Sequence, residues 1–441
     1  YKRQMLYSSI LNVIKMKRLL SGIFIILLSS FCYAQRVFTL DDCCRIAVEN
    51  NKKMKLSDFS IKQAELQEKN VVAGFLPKLS ASGGYLYANK DFSMELAPSL
   101  SAALDISNTY FAGVQLEQPV YMGGKIIAAR NMSEIGTNMA VLNRKKNDSE
   151  IRIETEEAYW NVIKAKELYE VSIKYKNLVE ELFNNIEKMN KTGMSPRNEL
   201  LKVQVKLNEA NLSMKRSENA IRLSKMALCH IMGIPLSDDI EISGTIEFEP
   251  AVFRNDEFII ENRSEYKLLS ENINLKREQI KSVRSDYLPR IGLVAGYNYI
   301  DGVRMNGHKF LKDDIFSVML AVKIPLFHWG EGHRKIKSAK IELQKAEVMR
   351  DEMIEKMQLE VTRNYNILNE AELEVELTEN AFSYAEENLQ ESSKSFETGM
   401  ETLANFLEAQ ASWQKAYFEV ISAKINYHIA KSKYLNSIGG L

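Results

Sequence analysis

Residues 74–87 read GFLPKLSASGGYLY, and residues 286–299 repeat the pattern as DYLPRIGLVAGYNY. A second pair of segments, PVYMGG at 119–124 and PLFHWG at 325–330, repeats in the same order. The two offsets are 212 and 206 residues. Repetition at one long period indicates a structural unit that the chain uses twice. The 441 residues, which by length alone suggest about three domains of ~150 residues each, are therefore better divided into two equivalent halves.

The boundaries of the halves follow from these repeats. We predict a first repeat at 35–235, a linker at 236–253 and a second repeat at 254–441. Within each repeat the Leu-Pro and Pro-x-aromatic-x-x-Gly segments mark the junctions between strands and helices. The junction residues are Pro77, Pro119, Gly124, Pro289, Pro325 and Gly330.

Two stretches without proline, 120–195 and 326–441, predict very long helices. Apolar residues recur there every seven positions, which is typical of a coiled-coil seam. The recurring residues are Leu168, Tyr175, Leu182 and Met189 in the first stretch, and Val375, Phe382, Leu389 and Phe396 in the second. We predict helices at 125–191 and 331–397, each on the order of 100 Å long at 1.5 Å per residue.

The residues after each Leu-Pro change from helical to alternating hydrophobicity. Four segments alternate in this way, namely 79–87, 109–117, 291–299 and 316–324. A strand pair in a soluble protein would also alternate, but about ten residues is the length of a tilted strand that crosses a bilayer. Aromatic residues at the strand ends and the lack of a second hydrophobic layer favour the membrane. The polar segments 89–107 and 301–314 between these strands are predicted to be loops.

The N-terminal residues indicate export. The basic group Met16-Lys17-Arg18, an apolar stretch at 19–31 and Cys32-Tyr33-Ala34 follow the layout of a secretory signal peptide, so residues 1–34 are predicted to be a signal peptide with some upstream residues. Acylation of Cys32, as in a lipoprotein, is the competing interpretation, and the bulky Phe31 disfavours it. The full chain has 58 basic and 58 acidic residues, which offers no basic field for nucleic acid. Removal of 1–34 takes away five basic residues and leaves a net charge of −5.

No pattern in the sequence predicts an enzyme. The five histidines lie in different segments without a catalytic or metal-binding motif, so no metal and no cofactor is expected. A site at His328 and His333 is less well supported than an interfacial or capping role for them. Cys43, Cys44 and Cys229 are predicted to be small buried residues on helices.

The ordered set of these segments resembles the TolC family of outer-membrane efflux proteins. The resemblance covers residues 38–441 and includes the opening Phe38-Thr39-Leu40-Asp41-Asp42. It implies a mainly α-helical fold with a membrane β-barrel, in which three chains with four strands each form one twelve-stranded barrel. Long coiled-coil helices would continue this barrel as an α-barrel across the periplasm.

The resemblance also implies functional residues. The adaptor-contact tips would be Thr192, Gly193, Met194 and Ser195 in the first repeat, and Thr398, Gly399, Met400 and Glu401 in the second. A pore gate would include Glu199, Asn405 and Glu408. Asn405 is neutral where the family has an acidic residue, so a double acidic ring is in doubt. Plain helix turns at the tips, and a solvated carboxylate at Glu408, are the structural alternatives.

These observations predict an outer-membrane exit channel that conducts passively. Its partners would be two further copies of the chain, outer-membrane lipid, a periplasmic membrane-fusion adaptor and an inner-membrane transporter of the RND, ABC or MFS type. A conduit for type I protein secretion and a periplasmic coiled-coil scaffold without a pore are the alternatives.

Overall fold

The computed structural model describes residues 37–89, 92–97, 100–106, 108–244, 246–250, 260–305 and 308–439. The predicted signal peptide at 1–34 lies outside these ranges. Seven helices make up most of the described chain. They are α1 Leu40–Asn50, α2 Lys52–Ala73, α3 Lys125–Lys191, α4 Arg197–Met232, α5 Ser264–Ser285, α6 Glu331–Glu397 and α7 Leu403–Ser437.

The helices α3 and α6 have 67 residues each, and the predicted bounds of both are confirmed. Proline-free sequence lets a helix continue, and a glycine with positive φ follows each of them, Gly193 at 79° and Gly399 at 75°. Within the described ranges, none of the seven helices is long and apolar enough to span a membrane.

The described strands form two sheets. They are β1 Val37–Phe38, β2 Lys78–Leu86, β3 Phe92–Ala97, β4 Leu100–Asp105, β5 Thr109–Met122, β6 Glu241–Ile242, β7 Arg290–Met305 and β8 His308–Lys323. A short parallel pair joins β1 to β6, and the other six strands pair antiparallel. The four long strands follow the order β2-β5-β7-β8, so each pairs with its neighbour in chain order among the four.

The predicted loops at 89–107 and 301–314 are wrong. The first contains the hairpin of β3 and β4, and in the second β7 continues to Met305 while β8 already begins at His308. The sheet therefore has six strands and not four. Polar composition was a poor guide here, because backbone hydrogen bonds between neighbouring strands do not depend on side-chain polarity. Gly302, with φ of 106°, lies where the register between β7 and β8 shifts, so the ladder continues through a bulge.

The chain divides into two compact units that cut across the sequence repeats. The first unit consists of the residues up to Asn51, of Ile151–Ala251 and of Glu370–Ile429. The second unit takes Lys52–Glu150, Val252–Asn369 and Ala430–Leu441 and contains the six-stranded sheet. Both α3 and α6 have one end in each unit.

Equivalent side chains in the two repeats make equivalent contacts. The Asn51 Nδ2 atom donates to the carbonyl oxygen of Ile231 at 2.7 Å, and the Arg263 Nη1 atom donates to that of Ser437 at 3.3 Å. The donors are 212 residues apart and the acceptors 206, which are the two offsets of the sequence repeat. The duplication therefore extends to single hydrogen bonds.

The predicted coiled-coil seams lie in the core of the first unit. Tyr175, Val179, Leu182 and Ile186 of α3 are buried there in one cluster with residues of α4 and α7. Phe382, Leu389 and Phe396 of α6 pack against the same cluster. Met189, at the end of the first seam, is 41% exposed, so that seam ends before the turn.

Candidate functional site

One face of the four long strands is apolar and exposed. Cross-strand pairs place Val114 opposite Tyr297, and Tyr297 opposite Phe316, on the same side of the sheet. The exposed residues of this apolar face include Leu79, Tyr85, Tyr110, Val114, Leu116, Tyr297, Tyr299, Phe316, Val318, Leu320 and Val322. Such a large apolar area is unusual on a surface that faces water and is typical of a contact with lipid or protein.

The opposite face of the same strands is mostly polar or small. It pairs Ser80 with Gln115, Gly113 with Asn298, and Gly296 with Ser317. The apolar exceptions on this face are Leu86, Phe111, Val294, Ile300, Ile315 and Met319. A sheet with one apolar and one largely polar face can separate lipid from water.

Exposed aromatic side chains border the apolar face on two sides, although Tyr297 and Tyr299 lie in the middle of β7 and not at its end as predicted. One group comprises Tyr85, Tyr87, Tyr110, Tyr297 and Tyr299, and the other comprises Phe75, Tyr121, Phe327 and Trp329. Trp329 is 82% exposed, and its ring packs edge to face against Phe327 at 5.0 Å between centroids. Aromatic rings prefer the interface between lipid and water, so the two groups mark two such interfaces.

Five of the six predicted junction residues lie where strands and helices meet. Pro77 and Pro289 directly precede β2 and β7, and Gly124 and Gly330 directly precede α3 and α6. Pro325 follows β8, whereas Pro119 lies inside β5 next to a register shift, a position that tolerates proline. Sequence reasoning missed Gly123, which has φ of 63° and lies against the backbone of Ser285.

The predicted tips are tight turns between helices. Gly193 and Gly399 adopt left-handed backbone conformations that favour glycine, and the side chains of Met194 and Met400 are 76% and 84% exposed. In the first turn the Asn190 side chain donates to the carbonyl oxygen of Ser195 at 2.8 Å. In the second turn Glu401 accepts a hydrogen bond from the Ser392 hydroxyl at 2.5 Å. A contact with an adaptor at either turn stays a prediction.

The predicted gate residues lie close to these turns. Glu199 is in the first turn of α4 and accepts a hydrogen bond from the Ser195 hydroxyl at 2.7 Å. Asn405 and Glu408 are exposed residues near the start of α7, where the Asn405 backbone N–H donates to Thr402 Oγ1 at 3.3 Å. Glu199 is thus bonded to the turn that precedes α4, which its place in the sequence did not indicate. A gating role for the three residues remains untested.

The three cysteines among the described residues are buried, as predicted. Cys43 and Cys229 are fully buried and Cys44 is 6% exposed. Burial raises the pKa of Cys43 and that of Cys44 to about 12, so both thiols are protonated and unreactive at neutral pH. In the described part of the chain, no group of three or more His, Cys, Asp or Glu residues could hold a metal ion.

The predicted linker is fixed to the long helices by hydrogen bonds that the sequence did not reveal. Glu241 accepts from Lys225 and Lys166, each at 2.9 Å, and the hydrogen bond from Lys225 is the main reason that the pKa of Glu241 is lowered. The hydroxyl of Tyr159 donates to the carbonyl oxygen of Ser243, and that of Tyr427 donates to the carbonyl oxygen of Glu249. The linker therefore joins α3, α4 and α7 within the first unit.

Comparison with known proteins gives consistent matches. The model of the outer membrane efflux protein family matches residues 44–233 and 261–440. The chain is 21% identical over 330 residues to the alkaline protease secretion protein AprF of Pseudomonas aeruginosa, covering 73% of this chain and 67% of that protein. It is 19% identical over 395 residues to the proteases secretion protein PrtF of Dickeya chrysanthemi, covering 88% of this chain and 85% of that protein. The fold matches the CmeC outer membrane channel of Campylobacter jejuni with a TM-score of 0.76 at 17% identity, over 91% of this chain and 85% of that one.

Proposed function

The chain belongs to the outer membrane efflux protein family, and we propose that it is a passive duct that receives cargo from a periplasmic adaptor and an inner-membrane pump. It is an outer-membrane efflux or secretion channel with a helical periplasmic part. The observation that carries the proposal is the sheet with one apolar face, one largely polar face and aromatic residues that border the apolar face on two sides. We assign the protein no enzymatic activity.

The duct requires several copies of the chain. Among the described strands, β2 and β8 each have one edge without a partner, and an open edge is not tolerated in lipid. Three copies would supply twelve long strands, closed by pairing β8 of one copy with β2 of the next. An exposed apolar stripe on α6 supports contacts between copies along the helices. This stripe comprises Ile341, Val348, Leu359, Leu373, Leu377 and Tyr384.

The energy for transport must come from the pump, because the sequence contains no nucleotide-binding loop. The turns at 192–195 and 398–401 would contact the adaptor. Glu199, Asn405 and Glu408 would line the constriction that opens on docking. A threefold axis would turn the single carboxylate of Glu408 into a ring that attracts cations.

The duct can be tested by bilayer recordings of the full chain purified in detergent. We expect ion conductance in planar bilayers, and a protein mass of three chains after subtraction of the detergent. Recovery of the protein in the soluble fraction without detergent would favour the coiled-coil scaffold and contradict the duct.

A second candidate function is secretion of a polypeptide, since AprF and PrtF are named as protease secretion proteins. A deletion strain separates the two candidates. Loss of proteins from the culture supernatant would indicate secretion, whereas increased sensitivity to dyes, detergents and metals with an unchanged supernatant would indicate small-molecule efflux.

A further inference from the structure

The two helix turns of the first unit have opposite charge. Residues 185–202, around the first turn, contain four basic and two acidic residues, for a net charge of +2. Residues 391–408, the equivalent segment at an offset of 206, contain one basic and four acidic residues, for a net charge of −3. The duplication would otherwise make these two surfaces alike.

The difference arises at matched positions. Lys191 corresponds to Glu397, and Lys202 corresponds to Glu408, so the sign of the charge is reversed at both. All four side chains belong to exposed residues. At a third matched position, Ser195 of the first turn corresponds to Glu401 of the second.

Ion pairs inside the helices do not remove this difference. Lys191 pairs with Glu187 at 3.1 Å and Lys394 pairs with Glu391 at 2.7 Å, and both pairs are exposed and therefore weak. Among the described residues, Lys202, Glu397 and Glu408 have no ion pair. Their charges are free to act on a partner.

An exposed apolar side chain lies between the charged residues of each turn. Met194 and Met400 are the residues concerned, and a flexible thioether adapts well to a protein surface. An apolar centre with a charged rim is the usual anatomy of a protein interface. The two turns also belong to one surface, because Ile186 and Val203 beside the first share a buried cluster with Leu403 and Phe406 beside the second.

We infer that the two turns are docking sites of opposite charge for the helical hairpins of the adaptor. An acidic hairpin tip fits the turn at 185–202, and a basic one fits the turn at 391–408. This inference rests on the proposed threefold duct, in which six turns alternate in charge around the axis. If the adaptor is rotated so that each hairpin faces the neighbouring turn, like charges meet. The alternating charge therefore fixes the rotational register of docking.

Two synthetic helical hairpins test the inference. They have the same sequence, except that one carries three Glu and the other three Lys beside its turn. Interferometry with the full chain in detergent is expected to show both hairpins binding without displacing each other, and more weakly at high salt. The double variant K191E/K202E should bind the acidic hairpin about ten-fold more weakly and the basic hairpin at least as tightly as the wild type does. The double variant E397K/E408K should do the reverse.

Two further variants complete the test. K215E/K415E changes charge on α4 and α7, the helices of Lys202 and Glu408, away from the turns and should leave both affinities unchanged. The fourfold variant K191E/K202E/E397K/E408K should bind both hairpins, with the basic hairpin now at the turn at 185–202 and the acidic one at the turn at 391–408. A misfolded protein would bind neither in this way. Wild-type protein that binds neither hairpin, or a reversal at one turn that weakens both hairpins equally, overturns the inference. Bilayer conductance of the wild-type preparation tests the duct separately, because Glu408 also belongs to the proposed constriction.

Discussion

Two adjacent glycines at the first strand-to-helix junction, Gly123 and Gly124, are required for different structural reasons. Gly123 and Gly124 both have positive φ angles, 63° and 83°. A Cβ atom on Gly123 would also lie 2.6 Å from the carbonyl oxygen of Ser285 and 2.8 Å from Leu288 Cβ. A Cβ atom on Gly124 would have no neighbouring atom within 4 Å. At the matching position of the second repeat, Trp329 adopts φ of 48° with its side chain exposed. Close approach of the backbone is thus specific to the first junction.

We predict that Gly123→Ala destabilises the protein more than Gly124→Ala. The left-handed conformation costs an alanine about 1–2 kcal/mol at either position, and crowding adds about 1–3 kcal/mol at Gly123 alone. Thermal unfolding of the two variants in detergent, followed by circular dichroism, measures the difference. Equal losses of stability in the two variants would show that a small shift of the backbone relieves the contact with Ser285.

At the scale of the element, α7 contains a buried polar residue in its seam. Leu403, Phe406, Gln410, Trp413 and Tyr417 follow one another at steps of three and four, which places them on one stripe of the helix. Gln410 is 1% exposed, and its Oε1 atom has no hydrogen-bond partner among the described residues. A buried acceptor without a partner weakens the packing of α7 against its neighbours.

We predict that Gln410→Leu raises the free energy of unfolding by about 1–3 kcal/mol, because it removes the unsatisfied amide oxygen at similar side-chain volume. Gln204 on α4, the matched residue of the first repeat, is only half-buried and donates to Asn208 at 3.4 Å. Gln204→Leu is therefore the control, with a change within about 0.5 kcal/mol. A lower melting temperature for Gln410→Leu would mean that the amide makes a bond that the described residues do not show.

Some of these elements were predictable from the sequence and others were not. The bounds of α3 and α6 were predictable, because prolines, glycines and heptads are local signals. The hairpin of β3 and β4 was missed, since Asn89, Lys90 and Asp91 introduce it with a loop-like composition and its pairing with β7 is not local. The hydrogen bond that Glu199 accepts was missed, because it depends on where the turn places the Ser195 hydroxyl.

On the scale of the whole molecule, the exposed sheet decides where the protein functions. Leu320 and Met319 are neighbours on β8 with similar exposure, 63% and 57%. Leu320 belongs to the apolar face, opposite Leu293, and Met319 to the other face, opposite Val294. The two residues therefore distinguish lipid from the water-filled interior of the proposed duct.

We predict that Leu320→Lys reduces the amount of assembled protein in the outer membrane, and that Met319→Lys does not. A lysine that faces lipid costs about 2–4 kcal/mol at the midplane, while a lysine in the interior remains hydrated. The yield of the proposed trimer after detergent extraction, on gels without boiling, measures the effect. Equal yields would contradict the assignment of the two faces, and a loss confined to Met319→Lys would reverse it.

The sequence alone determined the duplication, the long helices, the four long strands and the family resemblance, because each is a periodic or local pattern along the chain. Tertiary structure alone decided how the two compact units divide between the repeats and which side chains fix the linker. It also decided that a side chain at Gly123 would be crowded. These features depend on contacts between distant positions, such as Gly123 with Ser285 and Lys166 with Glu241. A single sequence carries no periodic signal for such pairs, so only the folded chain shows them.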